Sequence, residues 1–194
     1  MKIILASKSP RRKELLNRIY KDFDIVVKET DETLPRGVPL EEGVAILAKR
    51  KGDAAIELLK QERGAEYAMD CLVISSDTLV EIDGIPLGKP RDKFDAVKML
   101  RLLSGREHRV RTGVCVSFGG RCAGGCATTS VFFKDLSEKE ICSYVESGEP
   151  MDKAGAYGIQ GEGGKFVEKI EGDFDTVVGL SLKLTKELVD KVTL

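Results

Sequence analysis

The sequence contains no tryptophan, one histidine, four tyrosines and seven phenylalanines among its 194 residues. Proteins that stack single-stranded bases need aromatic platforms, so this composition argues against that class. The sole histidine, His108, excludes multi-histidine metal sites. An excess of one charge is also lacking, because 31 lysines and arginines balance 32 aspartates and glutamates. A net charge of -1 argues against a general nucleic-acid coat, although a local basic cluster can exist within it.

Long apolar runs are absent as well. The first residues carry a short apolar run at 3–6, which is too short for a secretory signal or a membrane span. The five cysteines are an odd number, which fits a reducing compartment, so we expect a soluble, cytoplasmic protein. Cys122 and Cys126 have no second pair at zinc spacing, so no zinc site is predicted there. The role of the segment Cys115–Cys126 stays open.

Hydrophobic residues make up 42% of the chain and charged residues 32%, which is typical of a globular domain. Apolar periodicity changes between strand and helix patterns along the chain. The predicted strands are residues 3–6, 23–27, 71–75, a hairpin over 80–85, 110–118, 128–133, 166–170 and 176–180. The predicted helices begin near residues 10, 41, 92, 138 and 181.

This order of elements predicts an α/β fold, a single domain over residues 1–194 with a mixed, strongly twisted sheet flanked by helices. A division of that domain into two lobes, with an active-site cleft between them, is compatible with the same pattern.

A basic cluster lies at the first strand–helix junction, where residues 7–13 read SKSPRRK. Ser9 suits a helix N-cap and Pro10 suits the first helical turn. A helix N-terminus exposes backbone N–H groups that favour anions, and arginine can bind phosphate oxygens in bidentate fashion. The junction is therefore a candidate phosphate site, and a solvated basic helix face is the alternative.

Asp77 follows the strongest buried-strand pattern, residues 71–75. Ligands of open α/β sheets collect at the carboxyl ends of strands, so Asp77 has the position of a metal ligand or general base. An aspartate that caps a turn is equally consistent with this spacing.

Two glycine-containing segments come later in the chain. Lys89 stands between Gly88 and Pro90, which would limit its freedom and could aim it at a phosphate, although a surface turn explains it as well. Residues 148–164 hold six glycines and Gln160, which suggests close backbone approach to a ligand. The P-loop and dinucleotide-binding patterns are both absent from this segment.

Together these segments resemble the Maf family of nucleoside triphosphate pyrophosphatases, in its dTTP/UTP-type branch. They read ASKSPRRKELL from Ala6, SDT from Ser76, LGKP from Leu87 and DKAGAYGIQG from Asp152. The segments 103–110 and 177–180 extend the likeness over nearly the whole chain. The resemblance implies the Maf/ITPase-like fold and a homodimer.

The family's activity, implied for this chain, is hydrolysis of dTTP and UTP, or of modified pyrimidine nucleotides, to the monophosphate and pyrophosphate. The resemblance implies metal-assisted water attack on the α-phosphate, with Mg²⁺ or Mn²⁺ as the cofactor and Asp77 as the catalytic proton acceptor. Glu32 and Asp77 are the implied metal ligands. The implied substrate-binding residues are Ser7, Arg11, Arg12, Lys51, Thr78, Lys89 and Gln160, of which Arg11, Thr78 and Gln160 match the branch's specificity positions.

One departure from the family and one open assignment concern the same predicted helix. Lys51 is followed by Gly52 where the family usually has alanine, and Lys49 and Arg50 compete with Lys51 for one phosphate-facing role.

Two other function classes are alternatives to the pyrophosphatase. The first is a non-catalytic nucleotide-binding regulator that uses the same pocket, and two carboxylates beside phosphates favour the enzyme over it. The second is an RNA-binding protein that uses residues 11–13, which the neutral net charge and the few aromatic residues disfavour. The resemblance implies a nucleoside triphosphate and a second copy of the chain as partners, and no nucleic-acid polymer and no membrane are expected.

Overall fold

Seven strands form one mixed sheet in the computed structural model, which describes all 194 residues. The strand order is β2-β1-β3-β5-β6-β7, and β4 pairs with β3. β1 runs parallel to β2 and to β3, whereas β4 is antiparallel to β3 and β7 is antiparallel to β6. The strands are β1 (Lys2–Leu5), β2 (Asp24–Ile25), β3 (Cys71–Ile82), β4 (Ile85–Leu87), β5 (Glu107–Phe118), β6 (Arg121–Phe133) and β7 (Val167–Glu171).

Seven α-helices accompany the sheet, which confirms the predicted α/β fold. They are α1 (Pro10–Leu16), α2 (Leu40–Arg63), α3 (Ala65–Met69), α4 (Lys93–Leu103), α5 (Glu138–Glu146), α6 (Phe174–Val178) and α7 (Leu182–Thr193). Three short 3₁₀ helices span Glu149–Asp152, Ala154–Ala156 and Glu162–Phe166. None of the helices combines the length and the apolar character that a bilayer crossing needs.

The chain divides into two compact units. Unit 1 comprises Met1–Asp77, Thr112–Ala127 and Gly179–Leu194. Unit 2 comprises Thr78–Arg111 and Thr128–Val178. The division falls between Asp77 and Thr78, within β3.

In unit 1 the long helix α2 supplies the main helical face of the core. Its buried residues recur at helical spacing, which places them on one side of the helix. One core cluster of this unit contains Ile4, Ala6, Ala55, Leu59, Ala68, Cys71 and Val73. Ile4 and Val73 are partners in the parallel pairing of β1 with β3, so this cluster packs α2 and α3 against these two strands.

In unit 2 helices α4 and α5 supply the corresponding apolar faces. Ala96, Leu100 and Leu103 of α4 are fully buried and lie one turn apart along the helix. The side chain of Asp92 caps α4 by accepting a hydrogen bond from Asp95 N at 2.7 Å. α5 begins with the predicted capping box, since the Ser137 and Glu140 side chains each accept from the other's backbone N–H.

Four strand predictions are wrong in their extent or their type. β3 continues to Ile82 instead of ending at residue 75, because Ser75 and Ser76 bury their hydroxyls in hydrogen bonds to backbone carbonyls. Asp77 therefore lies inside a long strand and not beyond its end. β6 begins at Arg121, earlier than the predicted 128, and β2 has only two residues.

The fourth difference is at residues 176–180, where the predicted strand is the helix α6 followed by Gly179. Asp173 lies just before this helix, and its carboxylate accepts from Asp175 N at 3.1 Å and from the Thr176 hydroxyl at 3.2 Å. Thr129 in turn holds the Asp173 backbone, donating to its carbonyl at 2.9 Å. This cap starts a helix and overrides the β-branched character of residues 176–178.

His108 lies in the core of unit 2 and is 2% exposed. Its Nε2 is 2.8 Å from the Tyr157 hydroxyl, and its ring packs edge-on against Phe133 and Tyr157. Burial lowers the pKa of His108 to about 4, so the imidazole is neutral at pH 7. The single histidine therefore acts here as a core residue.

We predict that acid destabilises the fold through His108. The unfolded chain binds a proton at this residue near pH 6.5, whereas the folded chain resists until about pH 4. Between these values the unfolded state binds more protons, so the free energy of unfolding decreases as the pH is lowered from 6.5 to 4, by about 3 kcal/mol in total. The chain has one histidine, so its ¹H NMR resonance reports this pKa directly. A His108→Gln variant should lose this part of the pH dependence, and a measured pKa near 6.5 would contradict the prediction.

Candidate active site

The junction between β1 and α1 is organised by hydroxyl groups and Arg12. Ser9 caps α1, accepting from Arg12 N at 3.4 Å, and Pro10 occupies the first helical position. Arg12 Nε donates to the Gly179 carbonyl at 2.9 Å, and its Nη1 donates to Ser7 Oγ at 3.3 Å. The predicted N-cap is confirmed, and these bonds fix the Arg12 side chain against the end of the strand.

Arg12 carries its charge in a confined position. Burial lowers the pKa of its guanidinium, and the negative charge of Asp77 opposes that effect. Arg11 lowers the pKa of Arg12 further, and Glu32 raises it. Arginine stays protonated in proteins, so a fixed positive charge faces the two carboxylates.

Lys51 of α2 joins those two carboxylates. Its Nζ lies 2.7 Å from Glu32 Oε1 and also forms an ion pair with Asp77 Oδ1. Asp77 and Lys51 are largely buried, with side chains 14% and 17% exposed, whereas Glu32 is 58% exposed. Water screens such a pair less in this position than at the open surface.

The other two basic residues of the same helix turn elsewhere. Lys49 Nζ lies 2.6 Å from Asp53 Oδ2, and Arg50 donates to the Thr33 carbonyl at 3.0 Å. Of the three candidates, Lys51 is therefore the one that the structure brings to Glu32 and Asp77.

The approach of α2 to β3 depends on Gly52, the departure noted beside Lys51. A Cβ at this position would lie 2.8 Å from Ser75 Oγ. That hydroxyl is fully buried and donates to the Ala48 carbonyl at 2.7 Å, so it is not free to move aside. The buried Ser75 hydroxyl thus leaves room for glycine at position 52 but not for a larger residue.

Gly179 contacts residues of this candidate site, and sequence reasoning did not predict those contacts. Its carbonyl accepts from both Arg12 Nε and the Ser76 hydroxyl, the latter at 2.8 Å. It therefore connects the β1–α1 junction to β3, next to Asp77. The motif at 177–180 was visible in the sequence, but the wrong strand prediction there gave no reason to expect this contact.

Unit 1 thus contains Ser7, Arg11, Arg12, Glu32, Lys51 and Asp77, and it brings Ser7, Arg12, Glu32, Lys51 and Asp77 together through the contacts above. The remaining predicted residues, Thr78, Lys89 and Gln160, belong to unit 2. Thr78 is half-buried in β3, while Lys89 and Gln160 are exposed.

The segment that carries Gln160 is held in place by Glu149. Its carboxylate accepts from the Tyr144 hydroxyl at 2.9 Å and from Glu162 N at 3.0 Å. Burial opposes ionisation of Glu149, yet these hydrogen bonds keep its pKa below the ordinary value. A Cβ at Gly161 would lie 2.3 Å from Glu149 Oε1. The sequence predicted that these glycines allow a ligand to approach the backbone. At Gly161 the glycine instead makes room for the protein's own Glu149 side chain.

No group of three or more His, Cys, Asp or Glu side chains is arranged to hold a metal ion. The carboxylates of Glu32 and Asp77 are nevertheless close together on one ammonium group. Magnesium is commonly bound through one or two carboxylates and substrate phosphates, so this donor set fits such an ion.

The protein is thus a mixed α/β protein in which cations and carboxylates cluster beside the parallel strands. The chain matches the family described as "Maf-like protein" over residues 2–192. The chain belongs to the Maf family.

Several curated relatives bear one name, "dTTP/UTP pyrophosphatase". The protein from Bdellovibrio bacteriovorus is 44% identical over 97% of this chain and 97% of its own. The protein from Bacillus velezensis is 49% identical over 95% of this chain and 93% of its own. The protein from Vibrio cholerae is 45% identical over 98% and 97%. Among solved structures, the Staphylococcus aureus Ham1 protein gives a TM-score of 0.46 at 17% identity, covering 70% of this chain and 73% of that one.

We predict that Gly52→Ala destabilises the protein although alanine favours helices. Helix propensity alone would add about 0.5–1 kcal/mol of stability, whereas the contact with the buried Ser75 hydroxyl should cost more, giving a net loss of about 1–2 kcal/mol. Ser75→Ala removes that hydroxyl, so the double variant should be more stable than the two single effects predict. Urea unfolding of the four proteins measures this coupling, and strictly additive losses would contradict it.

Proposed function

We propose that this chain is a nucleoside triphosphate pyrophosphatase that hydrolyses dTTP and UTP to the monophosphate and pyrophosphate. The observation that carries the proposal is the contact of Lys51 with both Glu32 and Asp77, beside the fixed guanidinium of Arg12. The names and full-length identity of the curated relatives support the same activity and the same pair of substrates.

The triphosphate of the substrate is densely anionic and needs several cations. In our proposal Arg11, Arg12 and Lys51 bind its oxygens, and Ser7 donates a hydrogen bond to them. Arginine suits this task because its fork of N–H groups can hold two oxygens at once. Lys89 of unit 2 is assigned a further phosphate contact by the family resemblance.

A divalent cation, Mg²⁺ or Mn²⁺, would be held by Glu32 and Asp77. When bound, it would neutralise phosphate charge and so make the α-phosphorus more open to attack. The carboxylates of this chain would then exchange the Lys51 ammonium for the ion, which leaves Lys51 available to the phosphates.

Asp77 is the proposed acceptor of the proton from the attacking water. Its carboxylate is largely buried and is positioned by Lys51, so it needs little reorganisation before the reaction. Charge develops on the pyrophosphate as it leaves, and Arg11, Arg12 and Lys51 would stabilise it. Fixed positive groups are effective in this role because they are oriented before the reaction begins.

Thr78 and Gln160 are the proposed readers of the pyrimidine base. An amide both donates and accepts hydrogen bonds, which suits a base edge that carries both kinds of group. Glu149 and Tyr144, which hold the segment of Gln160, would act here as positioning residues.

Three further properties belong to the proposal. We infer a homodimer, a cytoplasmic location and one domain over residues 1–194, from the family resemblance and from the sequence. The alternative, a non-catalytic nucleotide-binding regulator, would bind dTTP without producing pyrophosphate. Measuring pyrophosphate release from dTTP, UTP, CTP and purine triphosphates in the presence of Mg²⁺ separates the two, and no turnover with any of them would reject the enzyme.

We predict that Asp77→Asn lowers kcat by about two orders of magnitude or more. Asparagine has nearly the same shape but cannot accept the proton or bind a cation as strongly. The measurement is the rate of pyrophosphate release, together with circular dichroism to verify the fold. Asp53→Asn is the matched control, because Asp53 is an exposed carboxylate that pairs with the neighbouring Lys49. Near-normal turnover of Asp77→Asn would remove this residue from the mechanism.

We predict that Gln160→Glu changes the choice of base more than the phosphate chemistry. An ionised glutamate only accepts hydrogen bonds, so a base carbonyl that faced the amide would lose its donor, at a cost of about 1–3 kcal/mol. The ratio of kcat/KM for dTTP to that for a purine triphosphate should therefore fall. Gln61→Glu on the exposed face of α2 is the control. An equal loss for every substrate would assign Gln160 to the support of its own loop.

A further inference from the structure

Two thiols lie next to each other on the hairpin formed by β5 and β6. Cys115 Sγ on β5 is 3.3 Å from Cys122 Sγ on β6. The two residues flank the turn at Gly119 and Gly120. All five cysteines of the chain are free thiols, and the proposed hydrolysis uses none of them.

The two thiols differ in their access to solvent. Cys115 is 1% exposed, whereas Cys122 is exposed. Cys122 also lines a pocket of about 320 Å³ together with Met69, Ser117 and Arg121. A small reagent in solution can therefore reach Cys122 directly, while it meets Cys115 only after the hairpin has opened.

The protonation state of Cys115 fits a thiol that reacts second, after Cys122. Burial raises the pKa of the Cys115 thiol to about 12, and the adjacent Cys122 raises it as well. The thiolate is the nucleophilic form of cysteine, so the protonated Cys115 thiol reacts slowly with an external oxidant. It remains next to the sulfur of Cys122, where it can react with an oxidised partner.

We propose that Cys122 and Cys115 form a reversible dithiol–disulfide site whose oxidant is a small hydroperoxide. In the first step the Cys122 sulfur attacks the peroxide, the O–O bond breaks, and Cys122 becomes a sulfenic acid as one water (for hydrogen peroxide) is released. In the second step the Cys115 sulfur attacks Cys122 Sγ, the S–O bond breaks, and the Cys115 proton leaves with the hydroxide as a second water. For this bond the two sulfurs approach from 3.3 Å to about 2 Å.

The experiment treats the full chain with hydrogen peroxide and then measures intact mass and peptide maps. We expect the loss of two hydrogen atoms, a Cys115–Cys122 crosslinked peptide, and return to the starting mass with dithiothreitol. Cys126→Ser, on the same strand, and Cys142→Ser, on α5, are the controls and should form the same crosslink.

Two variants test the assigned order of the steps. Cys122→Ser changes an exposed residue and should abolish the crosslink, leaving Cys115 unmodified. Cys115→Ser should retain a sulfenic acid at Cys122 that a dione reagent captures. The proposal is overturned if peroxide yields only sulfinic acid at Cys122, crosslinks between separate chains, or a bond from Cys122 to another cysteine. Because none of these readouts involves nucleotide hydrolysis, the result is independent of the proposed function.

Discussion

The close packing of α2 on the strands of unit 1 is the constraint on which the site depends. At Gly113 of β5, a Cβ would lie 2.4 Å from the backbone oxygen of Val44, so strand and helix backbone meet there almost directly. At Gly52 a Cβ would collide with the Ser75 hydroxyl of β3. Side chains at these positions would move the helix outward. Lys51 would then move away from Asp77, because Lys51 lies on α2 and Asp77 lies on β3, and Gly52 allows these two elements to approach.

The same packing brings together charges that would otherwise be costly. A confined guanidinium at Arg12 has lost much of its hydration, which is reflected in its lowered pKa. Asp77 and Glu32 offset part of that cost, and Lys51 offsets the carboxylates in turn. Under the proposed function, an anionic ligand with a cation replaces each of these contacts by a similar one.

The local part of this structure could be predicted from the sequence. Ser9 and Ser137 begin helices because a short side chain beside an exposed N–H is a local signal. The site position of Asp77 was predicted from a strand end at residue 75, whereas β3 continues past Asp77 to Ile82. The parallel β1–β3 ladder ends at Leu5 and Ile74, so the site lies where β1 leaves β3, even though β3 itself continues.

Tertiary contacts set the limit of prediction. The choice among Lys49, Arg50 and Lys51 depends on the rotation of α2 about its axis, since successive helix residues point in different directions. The three side chains accordingly find partners on different segments. Gly179 contributes through a carbonyl, and a carbonyl has no signature in the sequence.

The Glu149 network bears on how a segment rich in glycine can present one side chain at a defined place. Glycine gives a chain more freedom than any other residue, so a loop of this composition would lose much entropy on binding a ligand. Here Glu149 ties the Tyr144 hydroxyl to the backbone N–H of Glu162 before any ligand is present. The ordering cost is thereby met during folding. The exposed amide of Gln160 is not one of these ties, so a substitution of this side chain leaves the hydrogen bonds of the scaffold in place.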